Sequence, residues 1–277
     1  MRKYLLFIYL FSIICFKTYA DNLTFNEIDL EMIQCPKGRF MMGSPNDELG
    51  RNNDEEAHIV TLTKPFYIGK YEITQSQYEK IIGKNPSKFE GNNKPVDSIT
   101  YDEAIEFCYR LNAKYLHSLP KGYRFDLPTE AQWEYACRAG NGSALNSGKE
   151  IMTVDGNCPN LDETAWYGMN SGYTTHEVGK KKPNAWGIYD MHGNVSEWCR
   201  DWFDPYLYNT DPFDDVSSRK RLLSQAIQRK EINLSRVYRG GCWSDIARNC
   251  RSARRFSNSP SYMYNFLGFR VALVPID

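Results

Sequence analysis

Apolar residues fall at helical spacing in three stretches, and each stretch begins with the same chemical signature. Thr74-Gln75-Ser76-Gln77 runs into Tyr78 and Ile81-Ile82 and is closed by Gly83. Thr100-Tyr101-Asp102-Glu103 runs into Ala104-Ile105, Phe107-Cys108 and Leu111. Thr129-Glu130-Ala131-Gln132 runs into Trp133 and Ala136-Cys137 and is closed by Gly140. In each, the Thr hydroxyl can accept the N3 amide while Gln or Glu reaches back to the cap amide, a capping box. The i, i+3, i+4 spacing behind the box gives each helix one core-facing side.

After Gly140 the periodicity fades. Gly, Asn, Pro and Asp become frequent, and only residues 222–230 return to an amphipathic helical spacing. The remainder reads as short strands and structured loops, and loops this long are usually functional or held by ions or disulfides. No internal repeat, low-complexity tract or Pro/Ser-rich linker interrupts the chain, so residues 21–277 read as a single α+β domain. Ahead of it, Met1-Arg2-Lys3 precedes an uncharged apolar run over residues 4–16, and Thr18-Tyr19-Ala20 offers a small residue before Asp21. This is the pattern of a signal peptide over residues 1–20 and implies export to the periplasm, the cell surface or the medium. An uncleaved anchor is one alternative. A lipoprotein modified at Cys15 is another, opposed by Ser12-Ile13-Ile14, where a small residue is wanted just before the Cys. Once the leader is cleaved, no long apolar run remains to span a membrane.

Composition narrows the picture. The 277 residues are 42% hydrophobic and 25% charged, as in a folded chain and unlike a disordered one. Lys+Arg and Asp+Glu balance at 34 each, so a nucleic-acid partner is not expected. Aromatics reach 14%, enough ring area to fill a core around short elements. Apart from Cys15, the cysteines are Cys35, Cys108, Cys137, Cys158, Cys199, Cys242 and Cys250. Their number is odd, so at least one thiol stays free or pairs between chains. No Cys-x-x-Cys occurs, and His58, His117, His176 and His192 lack metal-binding spacing, so the histidines read as structural.

Several ordered segments carry a family resemblance. They are Gly38-Arg39-Phe40-Met41-Met42-Gly43-Ser44, Tyr71-Glu72-Ile73-Thr74 with Gln77-Tyr78, and Pro95-Val96 followed by Ala104. Next come Arg124-Phe125-Asp126-Leu127-Pro128-Thr129-Glu130-Ala131-Gln132-Trp133-Glu134 and Asn184-Ala185-Trp186-Gly187-Ile188-Tyr189-Asp190-Met191. Gly193-Asn194-Val195-Ser196-Glu197-Trp198, Arg239-Gly240-Gly241 and Leu267-Gly268-Phe269-Arg270 complete the set. Together they resemble the formylglycine-generating-enzyme family, also called sulfatase-modifying factors. The resemblance implies a formylglycine-generating-enzyme-type, C-type-lectin-like fold with little regular secondary structure. It does not by itself imply the chemistry.

Enzymes of that family oxidise a sulfatase Cys to formylglycine with molecular oxygen at a copper(I) site made of two Cys five residues apart. Soft thiolates suit copper(I). The second family Cys carries over to Cys250, the first falls on Asp245, and a Ser that assists oxygen chemistry falls on Cys242. Asp245 is a hard oxygen ligand unsuited to copper(I), so an oxidase would have to work through Cys250 with Cys242, at a different spacing. The plain alternative is that Cys242 and Cys250 form a disulfide or simply pack. A second family stretch binds calcium. Its ligands carry over to Asp190, Gly193, Val195 and Glu197, largely through backbone oxygens, and imply one structural calcium ion. The alternative there is an ordinary turn stabilised by Gly193 and Asn194.

The C-terminal segment departs from its relatives in a patterned way. The framework Arg239-Gly240-Gly241, Trp243, Arg248-Asn249-Cys250-Arg251-Ser252-Ala253, Pro260 and Gly268-Phe269-Arg270 is kept. Between these, positions where relatives carry Ser or Asn hold Cys242, Ser244, Asp245, Ile246, Phe256, Ser257, Ser259, Tyr262, Tyr264 and Phe266, and Arg254 joins them. Ser, Asp, Ile, Phe and Tyr are each reached from an Asn codon by changing adenines only, and Cys from a Ser codon in the same way. The pattern resembles the variable proteins of diversity-generating retroelements, which display ligand-binding faces on such folds. Tyr262, Tyr264, Phe256 and Phe266 would then be anchors, with Ser257, Asn258 and Asp245 adapting by hydrogen bonds. The alternative is drift in a loop whose aromatics are core, Ile246 and Phe266 foremost. Arg248 and Arg251 read as framework, pairing with buried carboxylates such as Asp201 or Glu134. The leading expectation is a monomeric, non-catalytic binder of a protein or glycan ligand. A formylglycine-generating oxidase and an undiversified secreted glycan- or protein-binding domain are the alternatives.

Overall fold

A computed structural model describes residues 22–203 and 235–276. The expected leader over residues 1–20 and the expected helix at 222–230 lie outside the described residues. The three capping boxes form where the sequence places them. They open α1 (Gln75–Ile82), α2 (Tyr101–Tyr115) and α3 (Glu130–Arg138), each with both reciprocal bonds made. Gly83 takes the left-handed conformation at the end of α1, and Ala139 does so at the end of α3, one residue before the expected glycine. A single-turn helix, α4, spans Pro159–Asp162.

The strands are short. β1 (Leu23–Phe25), β2 (Leu30–Cys35), β5 (Phe66–Gly69), β13 (Ala272–Pro275) and β6 (Tyr123–Asp126) lie in that order in one antiparallel sheet. The sequence-distant strands β5 and β13 are therefore neighbours. β3 (Gly38–Met42) and β4 (His58–Leu62) form a hairpin, and β7 (Ala165–Trp166) pairs in parallel with β8 (His192–Gly193). A second sheet has the order β11 (Arg255–Asn258), β10 (Arg236–Arg239), β9 (Ser196–Trp202), β12 (Leu267–Gly268). Rings fill the space between: Phe107 lies 5.6 Å from Tyr78 and 5.3 Å from Phe269, and Trp198 meets Tyr101 edge-on. Large rings that meet face-on or edge-on in this way can fill a core with few long elements.

Irregular segments leave carbonyls that no ladder satisfies. Buried arginines take them up. Arg138 donates to Gly43, Gly142 and Ser143 carbonyls, Arg239 to Ser252 and Ala253, Arg251 to Arg248 and Gly50, and Arg270 to Gly69 and Tyr189. Each of the four also holds a buried glutamate: Glu134 for Arg138 and Arg239, Glu48 and Glu55 for Arg251, Glu197 for Arg270. A guanidinium has five donors, so one side chain can neutralise a carboxylate and still bond two or three carbonyls. This corrects the expected partners of Arg251, which are Glu48 and Glu55, not Asp201 or Glu134. Arg248 is exposed.

Candidate ligand-binding face

β10 and β11 place Tyr238 directly opposite Phe256, and their rings stack at 5.2 Å and 5°. Phe266 follows at 6.5 Å from Tyr238, Tyr264 at 5.0 Å from Phe266, and Tyr262 stacks on Tyr264 at 6.2 Å. Positions spread along the C-terminal segment thus form one aromatic run along the edge of the core. Arg254 lies over the Phe256 ring, 4.4 Å from its centre. Burial pushes the Tyr238 phenol above its ordinary value; Tyr262, Asp245 and Cys242 add to the shift and Arg254 opposes it.

Exposure divides the expected face. Tyr264 is 54% exposed and its neighbour Met263 is 58% exposed. Ser244 and Ser259 are exposed, and Asp245, Ile246, Arg254, Phe256, Ser257, Tyr262 and Phe266 are half-buried. Phe256, Tyr262 and Phe266 pack against the main core on one side, so they serve core and rim together. Cys242 is a correction: it is buried and cannot meet a ligand. Asp245 is turned inward as well. Its Oδ2 accepts from the Cys242 amide (3.0 Å) and thiol (3.1 Å), and its Oδ1 accepts from Asn249 (2.7 Å). It closes a turn where an adaptable ligand contact was expected.

A cleft of about 610 Å³ opens beside this face. Arg254, Phe256, Ser257 and Tyr238 line one side; Arg51 and Asp54 line another, with Phe203. Sequence reasoning missed Arg51, Asp54, Phe203 and Tyr238. No local signal marks them, because the loop carrying Arg51 and Asp54 reaches the C-terminal segment through long-range contacts such as the Arg251 pairs and the bond from Arg255 to the Asp54 carbonyl (3.2 Å). Burial lowers the pKa of the Arg254 guanidinium.

The copper expectation does not fit the residues present. Cys250 sits in an apolar cluster with Leu145, Ile151, Cys158 and Tyr167, and burial pushes its thiol well up. Burial does the same to Cys242, with Asp245 adding to it. Low-pKa, accessible thiolates are what copper(I) chemistry needs. All seven described cysteines are buried and free, so of the two plain alternatives for Cys242 and Cys250, disulfide or packing, the structure has packing.

The calcium expectation meets a similar difficulty. Both Glu197 oxygens are committed, to Arg270 Nε (2.6 Å) and Nη2 (2.7 Å), with Trp133 Nε1 at 2.8 Å. Asp190 accepts from the Gly179 amide (2.6 Å), and Glu72 binds the Asn194 side chain and the Val195 amide. A cation held by Glu197 would have to share that carboxylate with a buried guanidinium. No group of three His, Cys, Asp or Glu stands ready for a metal among the described residues. The Glu197 carboxylate is thus taken up by an internal ion pair, so a calcium ion at Asp190, Gly193, Val195 and Glu197 would rest on the backbone oxygens of that turn.

His192 is structural, as its spacing suggested. It is fully buried, with Nδ1 on the Cys250 carbonyl (2.6 Å) and Nε2 facing the Asn146 amide (2.8 Å). Those partners require the neutral ring with the proton on Nδ1. Burial lowers its pKa from 6.5 to about 4. Between those values the unfolded chain binds a proton that the folded chain refuses, so stability falls as pH falls through the window. The expected loss is about 3 kcal/mol, complete near pH 4 and absent above 6.5. Denaturant unfolding of the wild type and His192→Gln across pH 4–7 checks this. A stability difference that stays flat with pH would refute it.

Comparison with known proteins gives a consistent picture. The family model described as "Sulfatase-modifying factor enzyme 1-like domain" matches residues 23–274. The chain is 33% identical over 250 residues to the chaperone protein LppX of Paenibacillus barcinonensis, covering 73% of this chain and 82% of that one. Among solved structures, Treponema denticola variable protein 1 superposes with a TM-score of 0.73 at 28% identity, covering 92% of this chain and 99% of the other. PvdO from Pseudomonas aeruginosa gives 0.71 at 28% identity, over 91% and 97%. The mixed helix–strand architecture with few helices matches these folds. No helix among the described residues is long and apolar enough to cross a membrane.

Proposed function

The chain belongs to the sulfatase-modifying factor enzyme 1-like family, and from that premise we propose that it is an exported, non-catalytic member that binds a ligand through a diversified C-terminal face. One observation carries the reading: Arg254, Phe256, Ser257, Tyr262, Tyr264 and Phe266 form one continuous rim beside a cleft, while Arg255 among them and the flanking Arg239, Arg251 and Arg270 are buried framework. A rigid scaffold of buried ion pairs can tolerate change at such a rim, because substitutions there leave the core partners in place. The thiol pair that oxidase chemistry would need is buried and protonated. The similarity to the Treponema denticola variable protein supports the same assignment.

Deep sequencing of the 3′ end of the gene across a growing population tests it. Variation is expected at the codons of Arg254, Phe256, Ser257, Tyr262 and Tyr264, with those of Arg239, Gly241, Arg251 and Arg270 constant. Uniform sequence, or variation spread equally over framework codons, would overturn diversification.

A further inference from the structure

The cleft beside the C-terminal face has a definite electrostatic character. Three guanidiniums line it, from Arg51, Arg254 and Arg255, against one carboxylate, from Asp54. Arg255 is answered by Glu130, at 2.7 and 3.0 Å. Arg51 donates from Nε to the Ser44 carbonyl (3.4 Å) and makes no ion pair among the described residues. Arg254 is the unusual one. Its Nε is buried without a hydrogen-bond partner, and Glu55, Asp54 and Asp245 act on the guanidinium through space without an ion pair among the described residues. The Phe256 ring fixes the group from one face at 4.4 Å. A half-buried guanidinium with open donors is a ready partner for a planar, bidentate acceptor. The walls around it, Phe203, Tyr238 and Phe256, are aromatic and suit an apolar body beside the charge. Met263 and Tyr264 extend exposed, ring-rich surface along the same rim, the composition that favours protein partners.

Resting on the binding-face reading above, we propose that this cleft takes an acidic segment of a protein ligand, with a Glu or Asp carboxylate on Arg254, supported by Arg51, and a neighbouring apolar side chain against Phe203 and Phe256. If the face is diversified, this preference belongs to the sequence that carries Arg254, and clones with another residue there lose it.

The test uses the full mature chain and N-acetyl-Phe-Glu-amide as probe, followed by NMR titration. Binding on the order of millimolar is expected, weakening as salt is raised. The Phe-Gln analogue should bind at least about tenfold more weakly. Arg254→Gln should abolish that preference and Arg254→Lys should keep part of it, with unchanged melting temperatures reporting intact folds. Equal binding of the Glu and Gln peptides overturns the proposal. So does glucuronate or inorganic phosphate competing as well as the peptide, which would make the cleft a general anion or glycan site. The two readings fail separately: uniform codons with peptide binding would remove diversification and leave the cleft, whereas variable codons without binding would do the reverse.

Discussion

Arg251→Met should lower the melting temperature by about 10 °C, one of the two largest losses expected from a single side chain here. The Arg251 side chain is fully buried; it bonds Glu48 Oε1 (2.6 Å) and both Glu55 oxygens (2.7 and 2.8 Å), and it also donates to the Gly50 and Arg248 carbonyls. Removing it leaves two buried carboxylates without their direct ion-pair partner, which costs about 3–5 kcal/mol. For a domain of this size that is roughly 2–4 °C per kcal/mol. The carboxylates then matter more than the arginine. Desolvation already raises the Glu48 pKa despite Arg251, so without the arginine it should take up a proton at still higher pH. A triple variant, Arg251→Met with Glu48→Gln and Glu55→Gln, should recover part of the loss, because neutral amides are cheaper to bury unpaired than charges. Thermal unfolding of both variants measures this. A single variant within about 1 kcal/mol of wild type would show that the network does not hold the loop. The consequence for function follows from position. Arg251 draws the loop carrying Arg51 and Asp54 onto the C-terminal segment, so its loss should also open the cleft.

The helices were legible because capping is local chemistry: the hydroxyl at Thr74, Thr100 or Thr129 and the amide or carboxylate three residues later decide the start between them. The family resemblance was legible for the same reason, through short segments whose order survives. Partners across the fold were not. Arg251 meets residues 196 to 203 positions away, and nothing in its neighbours says whether Glu134 or Glu55 will be the one it finds. The candidate site shows both sides of this. Phe256, Tyr262, Tyr264 and Phe266 could be nominated from the way the C-terminal segment departs from the family pattern. That Phe256 stacks on Tyr238, and that Cys242 and Asp245 turn inward, depends on the pairing of β10 with β11 and on a turn closed by Asp245 itself. The Glu197 carboxylate shows the same limit: its own segment does not say that its partner will be Arg270, which arrives from 73 positions away.

Gly193→Ala should be as damaging as the loss of Arg251, and by an unrelated route. Gly193 has φ +72°, in the left-handed region that disfavours a Cβ. It also pairs in parallel with Trp166, and a Cβ there would stand 2.0 Å from the Trp166 carbonyl oxygen and 2.8 Å from its carbonyl carbon. These are backbone atoms, so no rotamer change relieves the clash; β7 and β8 would have to part. Parting them removes the bond from the Asn194 amide to the Trp166 carbonyl (2.7 Å) and disturbs the Gly193 amide on the Gly240 carbonyl (2.9 Å). The second of these ties the turn to the Arg239-Gly240-Gly241 framework from which the C-terminal segment departs. Strain at a left-handed residue costs about 1–3 kcal/mol and lost buried backbone bonds add comparable amounts, so a total of about 4 kcal/mol is expected. Gly83→Ala is the control: its φ is +87°, but nothing lies within 4 Å of the added Cβ, so it carries the conformational cost alone. Unfolding both variants in urea should therefore separate them by at least about 2 kcal/mol. Equal losses would mean that left-handed strain, and not the approach of Trp166, is what reserves position 193 for glycine.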